Sequence, residues 1–127
     1  MTPLKDKEFL EVLEVSGNPV DNISPLANMW SLKNLNIEDT PVSDLSPIEN
    51  LKNIKVLNID GTAVRDLKPL AGFEALEDLS IVNTPVKNVA ALENLPSLKH
   101  FFASVIRLLV MYLITVVARY FLNKWQS

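Results

Sequence analysis

Residues 40–61 read TPVSDLSPIENLKNIKVLNIDG, and the same 22-residue phrase recurs on both sides of them. Thr62-Ala63-Val64 and Thr84-Pro85-Val86 open the next two periods, and Asn18-Pro19-Val20 fits one period earlier. A leucine-patterned period of about 20–29 residues marks a stacked solenoid. One part of each period predicts a strand: Leu10-x-x-Leu13-x-Val15, Leu32-x-x-Leu35-x-Ile37, Ile54-x-x-Leu57-x-Ile59 and Leu76-x-x-Leu79-x-Ile81. The last two apolar residues of each set are two apart, the spacing that buries one face of a strand. Leu98-x-x-Phe101-x-Ala103 is a fifth, weaker copy. Strands one period apart should pair in parallel, so five of them at about 4.8 Å make a sheet roughly 20–25 Å wide.

The rest of each period returns the chain to the next strand and carries its own apolar columns. These are Val20, Ile23, Leu26 and Met29; Val42, Leu45, Ile48 and Leu51; Val64, Leu67, Leu70 and Phe73; and Val86, Val89, Leu92 and Leu95. One coil cannot bury such a face alone, but a stack of coils can. Short helical turns are expected in the returns. Ser46-Pro47-Ile48-Glu49 has the form of a capping box, with Ser as N-cap and Pro at the first helical position. Two polar columns keep phase: Asn18, Thr40, Thr62 and Thr84 after each strand, and Asn22, Asp44, Asp66 and Asn88 in the next bend. A ligand ladder is one reading of them. The simpler one is that short polar side chains satisfy backbone groups at tight bends.

The pattern L-x-x-L-x-I-x-x-T-x-V-x-D-L-x-P-L resembles the leucine-rich repeat of the bacterial, internalin-like 22-residue class over about residues 3–103. Thr stands where many such repeats carry Asn after the strand. The resemblance implies an α/β fold: a right-handed solenoid with its parallel sheet on the concave face. A hydrophobic C-terminal helix is expected to follow it. The division expected is a solenoid over 1–100 and a tail over 101–127. Pro3-Leu4 already sits mid-template, aligned with Pro25-Leu26 and Pro47-Ile48, so the chain reads as part of a longer array. The alternative to an independent module is therefore a fragment with a structural role.

Charge divides the chain in the same place. Residues 1–100 carry nine basic and fifteen acidic side chains, a balance of −6. Residues 101–127 carry Arg107, Arg119 and Lys124 with no acid, a balance of +3. An acidic body argues against nucleic acid, whose phosphates reward Lys and Arg. The chain has no cysteine, so disulfides and cysteine-based zinc sites are excluded. The start, MTPLKDKEFLEV, has no apolar run and is not a secretory signal, so the expected location is the cytoplasm or a membrane reached through the tail.

No enzyme is expected, and no cofactor. A nucleophile–base pair needs an oriented base, and the single histidine, His100, reads as a strand-end residue. The acidic pairs Glu38–Asp39 and Glu77–Asp78 could meet across coils. Gly17, Gly61 and Gly72 form no phosphate loop. Binding is the function expected of such an array, on the unburied side of the strands. The candidate residues are Glu14, Lys33, Asn34, Asn36, Glu38, Lys55, Val56, Asn58, Asp60, Glu77, Asp78 and Ser80, facing a protein partner whose identity the sequence leaves open. The face carries no large aromatic anchor of the kind that dominates interfaces, and Trp30 falls on the return side.

Residues 101–122, FFASVIRLLVMYLITVVARYFL, lack Gly, Pro and acid and have the length of a membrane-spanning helix of about 20 residues. Their Leu, Ile, Val and Phe side chains offer roughly −4 to −8 kcal/mol of insertion energy, and the two arginines cost up to about 5. The sum is near zero or modestly favourable. As a helix, the stretch would place Ser104, Arg107, Thr115 and Arg119 on one stripe. Three readings stay open: membrane contact, a cap or oligomer contact, and an aberrant end after a truncated array.

Overall fold

The computed structural model describes residues 9–104, 116–120, 122 and 124. Five short strands form one sheet: β1 (Val12–Glu14), β2 (Asn34–Asn36), β3 (Val56–Asn58), β4 (Asp78–Ser80) and β5 (His100–Phe102). All neighbours are parallel, in the order β1-β2-β3-β4-β5. The register is the sequence period itself: Leu13 stands opposite Leu35, Leu35 opposite Leu57, Leu57 opposite Leu79 and Leu79 opposite Phe101. Backbone bonds continue past the strands in phase. The Ile37 N–H donates to Asn58 O, that of Ile59 to Ser80 O and that of Ile81 to Phe102 O, at 3.0, 3.0 and 2.7 Å.

Both sets of apolar columns point inward into one core. Leu35, Ile37, Ile48, Leu51, Ile54, Ile59, Leu70, Phe73, Leu76 and Leu79 are fully buried. Burial fades at the two ends. Leu10, Leu13, Val15 and Val20 in the first coil, and Leu98, Phe101 and Ala103 in the last, are only partly covered. A central coil has a neighbour on each side and an end coil has one, the energetic signature of a one-dimensional stack.

Each return carries a single turn of 3-10 helix: Ser24–Leu26, Ser46–Ile48, Lys68–Leu70 and Ala90–Leu92. The capping box expected at Ser46 is not formed. Leu45 holds the N-cap position without a side-chain hydrogen bond, and Ser46 lies inside the turn. The bend column does the work instead. The side-chain oxygens of Asn22, Asp44, Asp66 and Asn88 accept the N–H groups of Ser24, Ser46, Lys68 and Ala90 at 2.8–2.9 Å. The column after the strands is also structural. The buried Oγ1 atoms of Thr40, Thr62 and Thr84 donate to the carbonyls of Ile37, Ile59 and Ile81 at 2.7–2.8 Å.

A further column appears at the turn leaving each strand. Gly17, Asp39, Gly61 and Asn83, one period apart, all take positive φ, between 55° and 71°. Glycine, Asn and Asp are the residues that tolerate this left-handed conformation. At Gly61 an added Cβ would overlap the Asp39 carboxylate, so the two neighbouring turns also pack on each other.

The sequence expectation for residues 101–122 needs correction at its start. Phe101 and Phe102 are strand residues, and the Asn83 N–H donates to Ser104 Oγ at 3.0 Å. Phe101, Phe102 and Ser104 thus belong to the fifth coil. Residues 105–115 lie outside the described residues. Residues 116–120, 122 and 124 are helical, and no helix among the described residues is long and apolar enough to cross a membrane.

Asp44 offers a pH-dependent test of the bend chemistry. Its exposed carboxyl is held below its ordinary value of 3.8, first by the Ser46 backbone N–H and then by the Ser46 hydroxyl. A depressed folded-state value adds stability above the ordinary value, and that contribution is lost as pH falls through the folded value. Asp44→Asn keeps the acceptor, as Asn22 and Asn88 do in their own coils, but cannot titrate. The melting-temperature gap between wild type and D44N should be constant near neutral pH and shift against the wild type in acid. A gap that stays flat to strongly acid pH would contradict this role.

Candidate functional site

The sheet has two faces because side chains alternate along a strand. One face is the core. The other is open and consists of two columns running across all five strands: Val12, Asn34, Val56, Asp78 and His100, and Glu14, Asn36, Asn58, Ser80 and Phe102. Of the residues expected from sequence, Glu14, Asn34, Asn36, Val56, Asn58, Asp78 and Ser80 stand in these columns. Lys33, Lys55 and Glu77 precede their strands by one residue, and Glu38 and Asp60 follow by two. Four short parallel strands, β1 to β4, thus bring together groups that run from Glu14 to Ser80 in the chain.

Hydrogen bonds fix much of this face. The Asn36 and Asn58 Oδ1 atoms accept the N–H groups of Glu38 and Asp60 at 2.9 and 2.8 Å. Asp60 Oδ1 in turn accepts from Ser80 Oγ at 2.6 Å and from the Val82 N–H at 2.7 Å, tying one coil to the next. Opposite charges pair across coils, Lys33 with Glu11 at 3.4 Å and Lys99 with Glu77 at 3.3 Å, and His100 Nδ1 is hydrogen-bonded to Asp78 Oδ1 at 2.6 Å. The acidic pairs Glu38–Asp39 and Glu77–Asp78 therefore do not meet each other; Glu77 and Asp78 each face a base. Such exposed pairs contribute roughly 0.2–1 kcal/mol each. Glu38, Asp39 and Lys55 make no ion pair among the described residues.

One residue of this face escaped the sequence reading. Phe102 is 57% exposed and occupies the column of Glu14, Asn36, Asn58 and Ser80. The signal was present, since Phe102 is one period beyond Ser80, but the apolar run around it hid the register. The face therefore does hold a large aromatic, beside His100 at its β5 end. Trp30, half exposed, lies in a return as expected, where its carbonyl accepts from Asn53 Nδ2 at 3.0 Å. Among the described residues no three His, Cys, Asp or Glu side chains stand together in a way that could hold a metal ion.

No protein-family model matches the chain, and no curated protein matches it. Solved structures do. Internalin C2 of Listeria monocytogenes superposes with a TM-score of 0.79 at 33% identity, covering 82% of this chain and 46% of its own. The internalin InlF of the same organism gives 0.63 at 25% identity, covering 81% and 37%. A chain of the Toll–Spatzle complex from Drosophila gives 0.66 at 16% identity, covering 78% and 14%, a likeness of fold alone. The chain spans less than half the length of either internalin. Period, register, core columns and these likenesses agree: the chain is a leucine-rich repeat protein of the internalin-like 22-residue class.

Proposed function

We propose that this solenoid is a non-catalytic protein-binding module whose partner lies across the open face of the sheet. The observation that carries the reading is the ordered two-column face itself. Its side chains stand on rigid strands and are held by the Asn36, Asn58 and Asp60 hydrogen bonds, so little order has to be imposed on binding. Phe102 supplies an aromatic anchor, and Lys55, Glu38 and Asp39 supply charge not already spent on a neighbour. The Toll–Spatzle structure is an assembly of proteins that includes this fold, which supports a protein as the partner. Of the stretch 101–122, the part beyond Ser104 is read as contacting a membrane; the exposed Val116, Val117 and Leu122 support this.

A photo-crosslinking side chain separates the faces. Placed at Val56 it should capture the partner; placed at Glu49, exposed on a return, it should not. Glu38→Lys should leave stability within about 0.5 kcal/mol of wild type. It should weaken capture about five- to tenfold, the loss expected of a contributing interface residue. Equal capture from both positions, or capture from Glu49 alone, would remove the open face from consideration.

A further inference from the structure

The hydrogen bonds that order the open face also decide which of its atoms are left for a partner. The N–H groups of Glu38 and Asp60 can only donate, so the amide atoms they meet at 2.9 and 2.8 Å are Oδ1 of Asn36 and Asn58. The two Nδ2 groups are left with no acceptor among the described residues. Asn36 and Asn58 are register partners held by the same bond, so these donors stand one strand spacing apart, about 4.8 Å. The strand-exit side of the face carries negative charge. Glu14, Glu38, Asp39 and Asp60 make no ion pair among the described residues, and of Lys33, Lys55 and Lys99 at the strand entrances only Lys55 makes none. Glu14 and Asp60 accept hydrogen bonds from their neighbours, whereas the carboxylates of Glu38 and Asp39 accept none among the described residues. Phe102, 57% exposed, closes the β5 end.

We propose that the protein partner presents to this face a basic, extended segment laid across the strands. Its backbone carbonyls accept from Asn36 and Asn58 Nδ2, a lysine or arginine meets Glu38 and Asp39, and a large apolar side chain packs on Phe102. The sheet sets the spacing. β2 and β5 are three strand steps apart, about 14 Å, and an extended chain rises about 3.3 Å per residue, so the base and the apolar residue stand about four positions apart. Residues four apart on an extended chain share one side, so both reach the face together. An acidic segment would meet the free carboxylates with Lys55 alone to answer it. A second copy of this chain is opposed by like charge, since residues 1–100 carry a balance of −6.

This inference deepens the protein-binding reading of the open face and rests on it. The probe is a library of random nonapeptides displayed on phage and selected on the full chain. Selected sequences should be enriched in Lys or Arg four residues from Phe, Tyr, Trp or Leu. The Kd of the best selected peptide, read by fluorescence anisotropy, should rise about tenfold with Glu38→Lys and about tenfold with Phe102→Ser. Asn36→Ser with Asn58→Ser keeps a short oxygen for each turn and removes both Nδ2 donors, and should also raise it about tenfold. None of these side chains lies in the core, so each variant should keep the circular dichroism of the wild type. Binding should weaken between ionic strengths of about 0.05 and about 0.3 M. Acidic selected sequences, a base and an apolar residue at no fixed separation, no peptide that binds, or a Kd that any of the three folded variants leaves unchanged would each overturn the proposal. Crosslinking from Val56 separates the two readings. Capture there with any of these failures counts against the basic segment alone, and loss of capture as well removes the open face itself.

Discussion

Leu57→Asp should abolish the cooperative unfolding transition. Leu57 is 1% exposed in the middle strand of five, with Leu35 on one side and Leu79 on the other. Removing the leucine alone costs about 2–5 kcal/mol at such a site. Aspartate adds a carboxylate with no partner within the core, which costs several kcal/mol more whether it stays charged or takes up a proton. The sum is comparable with the whole stability of a domain, about 5–15 kcal/mol. The position matters as much as the residue. A break at β3 divides the stack into two pieces of about two coils each, and neither piece can bury its own apolar face. Far-UV circular dichroism during a thermal melt is the measurement. A cooperative melt within a few degrees of wild type would mean that Leu57 does not face a core.

Phe73→Ala should be the most damaging change in the returns. Phe73 is fully buried and stands in the column of Met29, Leu51 and Leu95, where it is the one aromatic. Truncation leaves a cavity the size of a ring, and large-to-small changes of this kind cost about 3–5 kcal/mol. For a domain of this size that corresponds to a fall in Tm on the order of 10–20 °C. Leu95→Ala, in the same column one coil nearer the end, should cost less, because Leu95 keeps 9% of its surface exposed and has fewer neighbours to lose. If Leu95→Ala is the more damaging of the two, the burial gradient from centre to end is wrong.

Much of this architecture was legible in the sequence because a solenoid repeats its physics. Each column presents the same side-chain type at the same phase, so one correctly placed Leu35 also places Leu13, Leu57, Leu79 and Phe101. The bend column was legible for the same reason. The exceptions have physical causes. Ser46-Pro47-Ile48-Glu49 has the composition of a capping box, but the return makes a single 3-10 turn, and the Asp44 carboxylate already takes the N–H that a cap would satisfy. Asp39 and Asn83 stand one period from Gly17 and Gly61, and the positive φ that all four share shows a common backbone demand that the change of residue type hides.

The residues expected from sequence stand on or beside the open face of the sheet, but the contacts among them were not legible. Sequence placed the polar residues but not the pairs Lys33–Glu11, Lys99–Glu77 and His100–Asp78, which depend on rotamers that no period dictates. Phe102 was lost because the apolar run from residue 101 has no alternation to mark which side chains face the core and which face solvent. The same lack of pattern is why residues 105–115 admitted several readings, and they lie outside the described residues.

The open face exists only because each coil supplies one strand, paired in parallel one period apart. Residue-resolved amide hydrogen exchange tests this directly. The amides of Ile37 and Ile59, bonded to Asn58 O and Ser80 O in the middle of the sheet, should exchange slowest. Protection should fall off on both sides, through Val15 bonded to Asn36 O and Ile81 bonded to Phe102 O. Strong protection repeating every 22 residues with its maximum at the centre is the predicted result. Protection without that period, or uniformly fast exchange at Ile37 and Ile59, would contradict the stacked sheet and the binding face built on it.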